Sequence, residues 1–379
     1  MKKYDVIIIG AGVIGLSIAY NLGLKGCRSI LVIEKKYISY GASGRCGGGI
    51  RQQWSTEENI LLAKGSVEIF KRLSKELGIN IWFRQGGYLF LSYNMDEYEK
   101  LKRAVKLQNS LGVNSILMNK GEIEKKYNYL NTDRVVGATF CPTDGTLFPF
   151  PVLWGYAERI RDMNITINEF EEVTGIKHDK KEYTIITNKN SYESDWVINA
   201  AGAWSSHIAA LANIKLNNVP YRHEILVTEP IKKFMDPMIV SLKNGLYMSQ
   251  TMRGEVIGGY GLAEKAMDFS MKSTTKFLKG VSHNFISMIP RLSEVRVLRQ
   301  WAGLYDESPD GKPVIGEEEQ HPKFMEVNGL GGHGFMLAPK IGEVVAEHIC
   351  NEKEDIDLNK FTTSRFKKEI SEKESFSLG

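Results

Sequence analysis

The hydrophobic pattern is densest at the start of the chain. Val6-Ile7-Ile8-Ile9 is a short β-branched run without a polar break, the pattern of a strand buried on both faces of a parallel sheet. Gly10-Ala11-Gly12-Val13-Ile14-Gly15 follows at once, and apolar residues then recur at helical spacing to about Lys25. A second β-branched run, from Ser29 to Ile33, ends on the acid Glu34. Strand, glycines, helix, strand and acid in this order form a dinucleotide fingerprint. Gly10 permits the tight turn, Gly12 lets backbone approach a pyrophosphate, and Gly15 lets the helix pack closely on the strand. Around Val13 and Ile14 the helix start offers N–H groups and a positive dipole end to phosphate. A carboxylate at Glu34 accepts ribose hydroxyls and repels a 2′-phosphate, which disfavours NADP.

Helical spacing predicts helices over 57–77, 96–111, 120–127, 151–162, 274–289 and 338–350. Strands are predicted over 86–91, 135–140, 295–305 and 323–328, with short β segments through 165–201 and strand-like text, broken by prolines, over 215–261. Three stretches interrupt this alternation. Residues 35–51 are too rich in glycine and serine for a regular element and suit backbone lying against a ligand. Asn199 to Trp204 takes a strand into small residues, and Gly329 to Met336 is a glycine-rich turn before a helix. Dinucleotide-type pieces thus stand at both ends and in the middle. The expected fold is α/β: a discontinuous Rossmann-like domain over 1–85, 141–215 and 313–379, and an α+β substrate domain with a mixed or antiparallel sheet over 86–140 and 216–312. A charged tail ends the chain.

Composition narrows the function. The chain has 379 residues, too many for one ordinary core, so two domains are expected. A formal charge of +4, dispersed over this length, gives no reason to expect nucleic acid. The cysteines Cys27, Cys46, Cys141 and Cys350 form no C-x-x-C pair, so neither zinc nor an iron–sulfur cluster is expected, and no metal. Few cysteines and no signal sequence point to a reducing cytoplasm. No apolar stretch has the length of a membrane helix.

Four motifs carry a resemblance: 45–53 (RCGGGIRQQ), 220–223 (PYRH), 301–303 (WAG) with 308–311 (SPDG), and 332–336 (GHGFM). With them the chain resembles, over nearly its whole length, the FAD-dependent amino-acid oxidoreductases of the D-amino-acid-oxidase-like superfamily. Within that superfamily it looks most like the β subunits of archaeal dye-linked L-proline dehydrogenase and of sarcosine oxidase. The resemblance implies a non-covalent FAD whose ADP half lies on Gly10 to Gly15, Glu34 and Lys35. Ser43, Arg45, Cys46, Gly47 and Gly48 would follow the pyrophosphate and isoalloxazine. Val173 would meet the adenine, with Ala201, Gly202, Trp204 and Gly303 in the same cleft. Gly331, Gly332, His333, Gly334, Phe335 and Met336 would bring N–H groups and a helix N-terminus to the flavin N1–C2=O, where the reduced ring carries negative charge. FMN at an interface with a partner subunit is a further implied cofactor.

The departures from the superfamily also inform. Glycine-oxidase-like members place a carboxylate-binding arginine where this chain has Tyr305. Monomeric sarcosine oxidases place a lysine where it has Met336, and an oxygen-activating lysine near Val256 or Ile257. The covalent flavin attachments of relatives fall near Gly303 and Pro149, which cannot make them.

The implied chemistry is hydride transfer from the α C–H of an amino acid to flavin N5, giving an imine. It needs a carboxylate anchor, a neutral amine and a dry pocket. Arg51 is the expected anchor, because its guanidinium suits bidentate carboxylate contact. His223 would orient the substrate or accept a proton. Tyr247 would close the pocket or bond the carboxylate. The expected function is an FAD-dependent dehydrogenase of L-proline or a similar secondary or N-methyl amino acid, passing electrons to a partner subunit or a dye. An oxidase using O2 directly and a flavoprotein acting on tRNA stand as alternatives.

Overall fold

The computed structural model describes residues 1–179, 182–261, 264–367 and 373–376. Its first strand, Lys2–Ile9, pairs in parallel with Ile30–Ile33 on one side and Ser191–Asn199 on the other. Ile7 and Ile8 are fully buried, as an unbroken β-branched run requires. Thr166–Asn168 extends this eight-stranded sheet beyond Ile30–Ile33, and His321–Asn328 followed by Val314–Glu318 extends it beyond Ser191–Asn199. Glu182–Thr187 pairs antiparallel with Ser191–Asn199, and Val173–Asp179 pairs antiparallel with Glu182–Thr187. The parallel strands therefore finish at one edge, at Ile9, Ile33 and Asn199, where open α/β sheets hold ligands.

The helix Val13–Leu24 is buried on nearly every side, because it lies against the sheet and packs on the helices Gly334–Ile349 and Pro149–Asp162. Glu57–Leu77 is amphipathic instead, with Glu57 and Glu58 in its first turn and Gly78 in the left-handed conformation ending it.

A second, ten-stranded sheet is mostly antiparallel. Its order runs Leu330–Gly331, Val297–Glu307, Val219–Pro230, Glu255–Gly259, Leu246–Gln250, Met238–Ser241, Tyr88–Ser92, Gly137–Cys141 and Ile116–Asn119, with Glu264–Lys265 paired to Val219–Pro230. The pairing of Met238–Ser241 with Tyr88–Ser92 is parallel, which makes the sheet mixed. One face packs Leu226 and Met248 against Phe277, Val281 and Phe285 of the helix Thr275–Met288. The alternate residues Ile225, Met238 and Tyr247 form a cluster with Tyr88 on the other face, which looks toward the first sheet.

The structure departs from the sequence pattern at three places. The last long helix begins at Gly334, four residues before the expected start, and runs through Pro339. Glycines weaken a helical pattern, yet here the helix start is packed into the centre of the molecule. The glycine-rich stretch 35–51 contains a 3-10 turn, Ala42–Arg45, and a short strand, Gly49–Ile50, paired with Gly145–Thr146. The charged tail is partly core: Leu358, Phe361, Glu374 and Phe376 are buried. Among the described residues no helix is long and apolar enough to cross a membrane.

Candidate active site

A cavity of about 430 Å³ lies between the two sheets, a size typical of small-molecule sites. Its first end is built from the fingerprint. Gly10 has φ 110°, and a Cβ there would sit 2.4 Å from the carbonyl oxygen of Ala200. A Cβ on Gly15 would sit 2.0 Å from the carbonyl oxygen of Gly10. Gly15 thus packs beneath the cavity rather than lining it, while Gly10, Gly12, Val13 and Ile14 line it. The Val13 N–H donates to the Ser43 hydroxyl at 3.0 Å, so Ser43 reaches over the helix start.

Glu34 accepts from the Ala11 N–H at 3.0 Å and the Lys36 N–H at 2.9 Å. Burial pushes its carboxyl up, and these two bonds pull it back. Lys35 is held with its Nζ 4.0 Å from the centre of the Trp204 ring, and burial lowers its pKa. Val173, Ala201, Gly202 and Trp204 line the same end.

Arg45, Cys46, Gly47, Gly48 and Gly303 line the middle. Arg45 donates to the carbonyls of Tyr40 and Ala302, and the Trp301 indole donates to the Arg45 carbonyl at 2.9 Å. These bonds staple the loop to the strand Val297–Glu307. Burial pushes the Cys46 thiol up to about 12, so it stays protonated and inert. Gly331, Gly332, His333, Gly334, Phe335 and Met336 line the cavity as the first turn of the helix Gly334–Ile349 and its approach. Two helix starts, a ribose-type carboxylate and backbone that no Cβ could cross fit the phosphates, sugar and ring of an FAD.

The other end is aromatic. Tyr88, His223, Ile225, Met238, Tyr247 and Tyr305 line it. His223 stacks on Tyr305 with ring centres 3.9 Å apart, and its buried Nε2 has no hydrogen-bond partner among the described residues. Burial lowers its pKa to about 4, so the ring is neutral at pH 7. Tyr247 and Tyr305 are joined through their side chains, and burial raises both phenols. Tyr305 lies against Gly332, where a Cβ would come within 2.5 Å of its ring. Sequence reasoning met Tyr305 only as the place of an absent arginine and passed over Tyr88. The spacing of Trp301, Gly303 and Tyr305 on one face of a strand was the available signal for the former; no local signal marks the latter.

Arg51 stands apart from the expected anchor geometry: it does not line the cavity. It is 1% exposed. Its Nη1 donates to the Gln53 carbonyl at 2.6 Å, and its Nη2 reaches His333 Nε2 at 3.0 Å and the Phe376 carbonyl. The guanidinium lies 3.8 Å from the Trp54 ring centre and 5.2 Å from that of Phe90. Long-range folding of the tail onto this side chain, invisible in the sequence, is the reason for the difference.

Asp144 braces the segment that carries Arg51. It accepts from the Gln52 N–H at 2.9 Å, Gln52 Nε2 at 3.0 Å and Gln53 Nε2 at 3.1 Å, and burial raises its carboxyl to about 6. Asp144→Ala would orphan these buried donors. We expect it to cost roughly 3 kcal/mol in denaturant unfolding, with Asp144→Asn costing less. Equal stability of Asp144→Ala and the parent would contradict the bracing role.

The chain matches the family model described as FAD dependent oxidoreductase over residues 5–348. It is 37% identical to L-proline dehydrogenase from P. horikoshii, whose solved structure superposes with a TM-score of 0.91, covering 97% of this chain and 98% of that one. It is 28% identical over 355 residues to sarcosine oxidase subunit beta of Rhodobacter capsulatus, spanning 92% of this chain and 85% of that protein. Glycine oxidase from Geobacillus kaustophilus, 23% identical with a TM-score of 0.89 over 96% of this chain and 99% of that one, shares the fold. These relationships support FAD and lend nothing to a second flavin, FMN. The chain belongs to the DAO family of FAD-dependent oxidoreductases.

Proposed function

We propose that the chain is a dehydrogenase of L-proline or another small secondary or N-methyl amino acid, with His223 receiving the amine. The observation that carries this is the neutral, buried Nε2 of His223 in the cavity wall, which has no hydrogen-bond partner among the described residues. An imidazole held near pKa 4 is too weak a base to strip an ammonium group. It therefore orients a neutral amine by hydrogen bonding rather than taking its proton. Tyr247 and Tyr305 keep water out and hold His223 in its stacked position. The apolar wall of Ile225 and Met238 suits a small aliphatic ring or an N-methyl group.

Gly10, Gly12, Val13, Ser43 and Glu34 would hold the ADP half of FAD, and the N–H groups at 331–336 its ring system. When bound, FAD supplies the two-electron acceptor for the hydride leaving the α carbon. We assign 1–85, 141–215 and 313–379 to its binding and 86–140 with 216–312 to the substrate. Two features support onward transfer of electrons rather than reaction with O2. Val256 and Ile257 place no charge where oxidases of the resembled type carry a lysine. Phe148, Phe150 and Trp154 form an exposed aromatic ridge suited to a partner protein. It adjoins Pro149, whose Cδ would lie 3.3 Å from a Cβ on the cavity residue Gly48.

Anaerobic mixing tests the reading. L-proline or sarcosine is expected to bleach the visible flavin absorption, and an artificial dye to restore it faster than air. Fast restoration by air alone would favour an oxidase, and failure of every amino acid tested to bleach it would remove the proposal. His223→Leu is expected to lower kcat/KM by about tenfold to a hundredfold, the loss of one buried hydrogen bond to substrate.

A further inference from the structure

Residues 373–376 fold back onto the aromatic end of the cavity. Glu374 is buried at the start of the helix Glu57–Leu77. Its carboxylate accepts from the Ser55 N–H at 3.0 Å, Thr56 Oγ1 at 2.9 Å, Asn59 Nδ2 at 3.0 Å and the Ser55 hydroxyl. The Glu374 N–H donates to the Asp310 carbonyl at 3.1 Å, and the Ser375 N–H to Ser55 Oγ at 2.8 Å. This latch seats Phe376, which is 3% exposed. Its ring joins the apolar cluster of Tyr88, Ile225, Met238 and Tyr247, the same side chains that line the cavity. Its carbonyl accepts from Arg51.

The environment of Arg51 is the second observation. Among the described residues, this buried guanidinium has hydrogen-bond contacts with two carbonyls and one imidazole, and no carboxylate within ion-pair distance. A buried charge normally has a counter-charge, because desolvation is costly. A carboxylate meeting the guanidinium in bidentate fashion would compensate it better than the Phe376 carbonyl does.

We propose that residues 373–376 are a movable wall of the substrate chamber. With Phe376 seated, the cavity stops at Tyr88 and His333, and Arg51 is covered. When the segment withdraws, the cavity reaches Arg51, which then takes the substrate's carboxylate in place of the Phe376 carbonyl. Glu374 and Phe376 thereby set how readily a carboxylate enters, because affinity falls with the fraction of molecules closed. The proposal rests on the reading of the substrate as an amino acid.

The test uses the FAD-loaded protein and cyclopentanecarboxylate, a ring acid without nitrogen. Binding is followed through the visible flavin absorption and through amide hydrogen exchange. Saturating acid is expected to speed exchange at 374–376 by about tenfold or more, and Glu374→Gln and Phe376→Ala each to tighten Kd by about tenfold. Adding Arg51→Met to Phe376→Ala should cancel the gain. Unchanged exchange at saturation, the same Kd in parent and both variants, or no binding in any of them would overturn the proposal. If the acid binds and releases the segment but no amino acid reduces the flavin, the movable wall stands and the dehydrogenase reading falls. If amino acids turn over while 374–376 stay protected, the reverse holds.

Discussion

Arg51→Met is expected to leave folding stability within about 1 kcal/mol of the parent while weakening carboxylate binding by roughly a hundredfold. The two halves of this result have different causes. Arg51 is buried between Trp54 and Phe90, and methionine fills a similar unbranched volume there. The substitution leaves the carbonyls of Gln53 and Phe376 without this donor, which destabilises. It also removes a desolvated charge that has no carboxylate within ion-pair distance among the described residues, which stabilises. These effects oppose one another. Nothing offsets the loss of binding, since methionine cannot bond a carboxylate. Denaturant unfolding and titration with cyclopentanecarboxylate measure the two separately. A variant that binds the acid as well as the parent does would show that Arg51 is a structural side chain only.

Gly15→Ala is expected to yield protein without FAD and to cost about 4 kcal/mol or more. The new methyl would sit 2.0 Å from the Gly10 carbonyl oxygen. Neither the strand end nor the helix start can yield without the other, because Gly10 is itself closed in by the Ala200 carbonyl. Moving either displaces the N–H groups that face the phosphates. Gly175→Ala is the matched control. Its Cβ would meet only Ile186 side-chain atoms, at 3.5 Å or beyond, and it should retain both FAD and stability. The ratio of flavin to protein absorbance after purification reads the outcome. Full FAD content in Gly15→Ala would contradict the close packing described.

Much of the dinucleotide end was legible because its determinants are local. Val6 to Gly15 and Glu34 lie within one strand–helix–strand unit, and residue type, spacing and contact coincide there. The glycine-rich turn at 331–336 was legible for the same reason, except for the helix start, which tertiary packing moves forward to Gly334. The aromatic end was harder. The stacking of His223 on Tyr305 depends on the antiparallel register that sets His223 opposite Gly303, a relation between distant strands. Tyr88 comes from a third distant segment. The residue type of Arg51 suggested carboxylate binding, but its surroundings come from Phe376, 325 residues further along. A single phenylalanine in a charged tail carries little periodic signal, and burial of Glu374 beside it runs against composition.

The contact between Arg51 Nη2 and His333 Nε2 also decides a tautomer. A guanidinium nitrogen has no lone pair to offer, so His333 Nε2 must be the acceptor and its proton must reside on Nδ1. The ring is thereby uncharged, held edge-on by Trp54 with centres 4.5 Å apart. The positive charge at the head of the helix Gly334–Ile349 then belongs to a group that does not titrate in the working range of an enzyme. The electrostatic potential at this end of the cavity therefore has a standing part, the Arg51 charge, and a part that follows the pH of the medium, the buried Asp144 carboxyl raised to about 6.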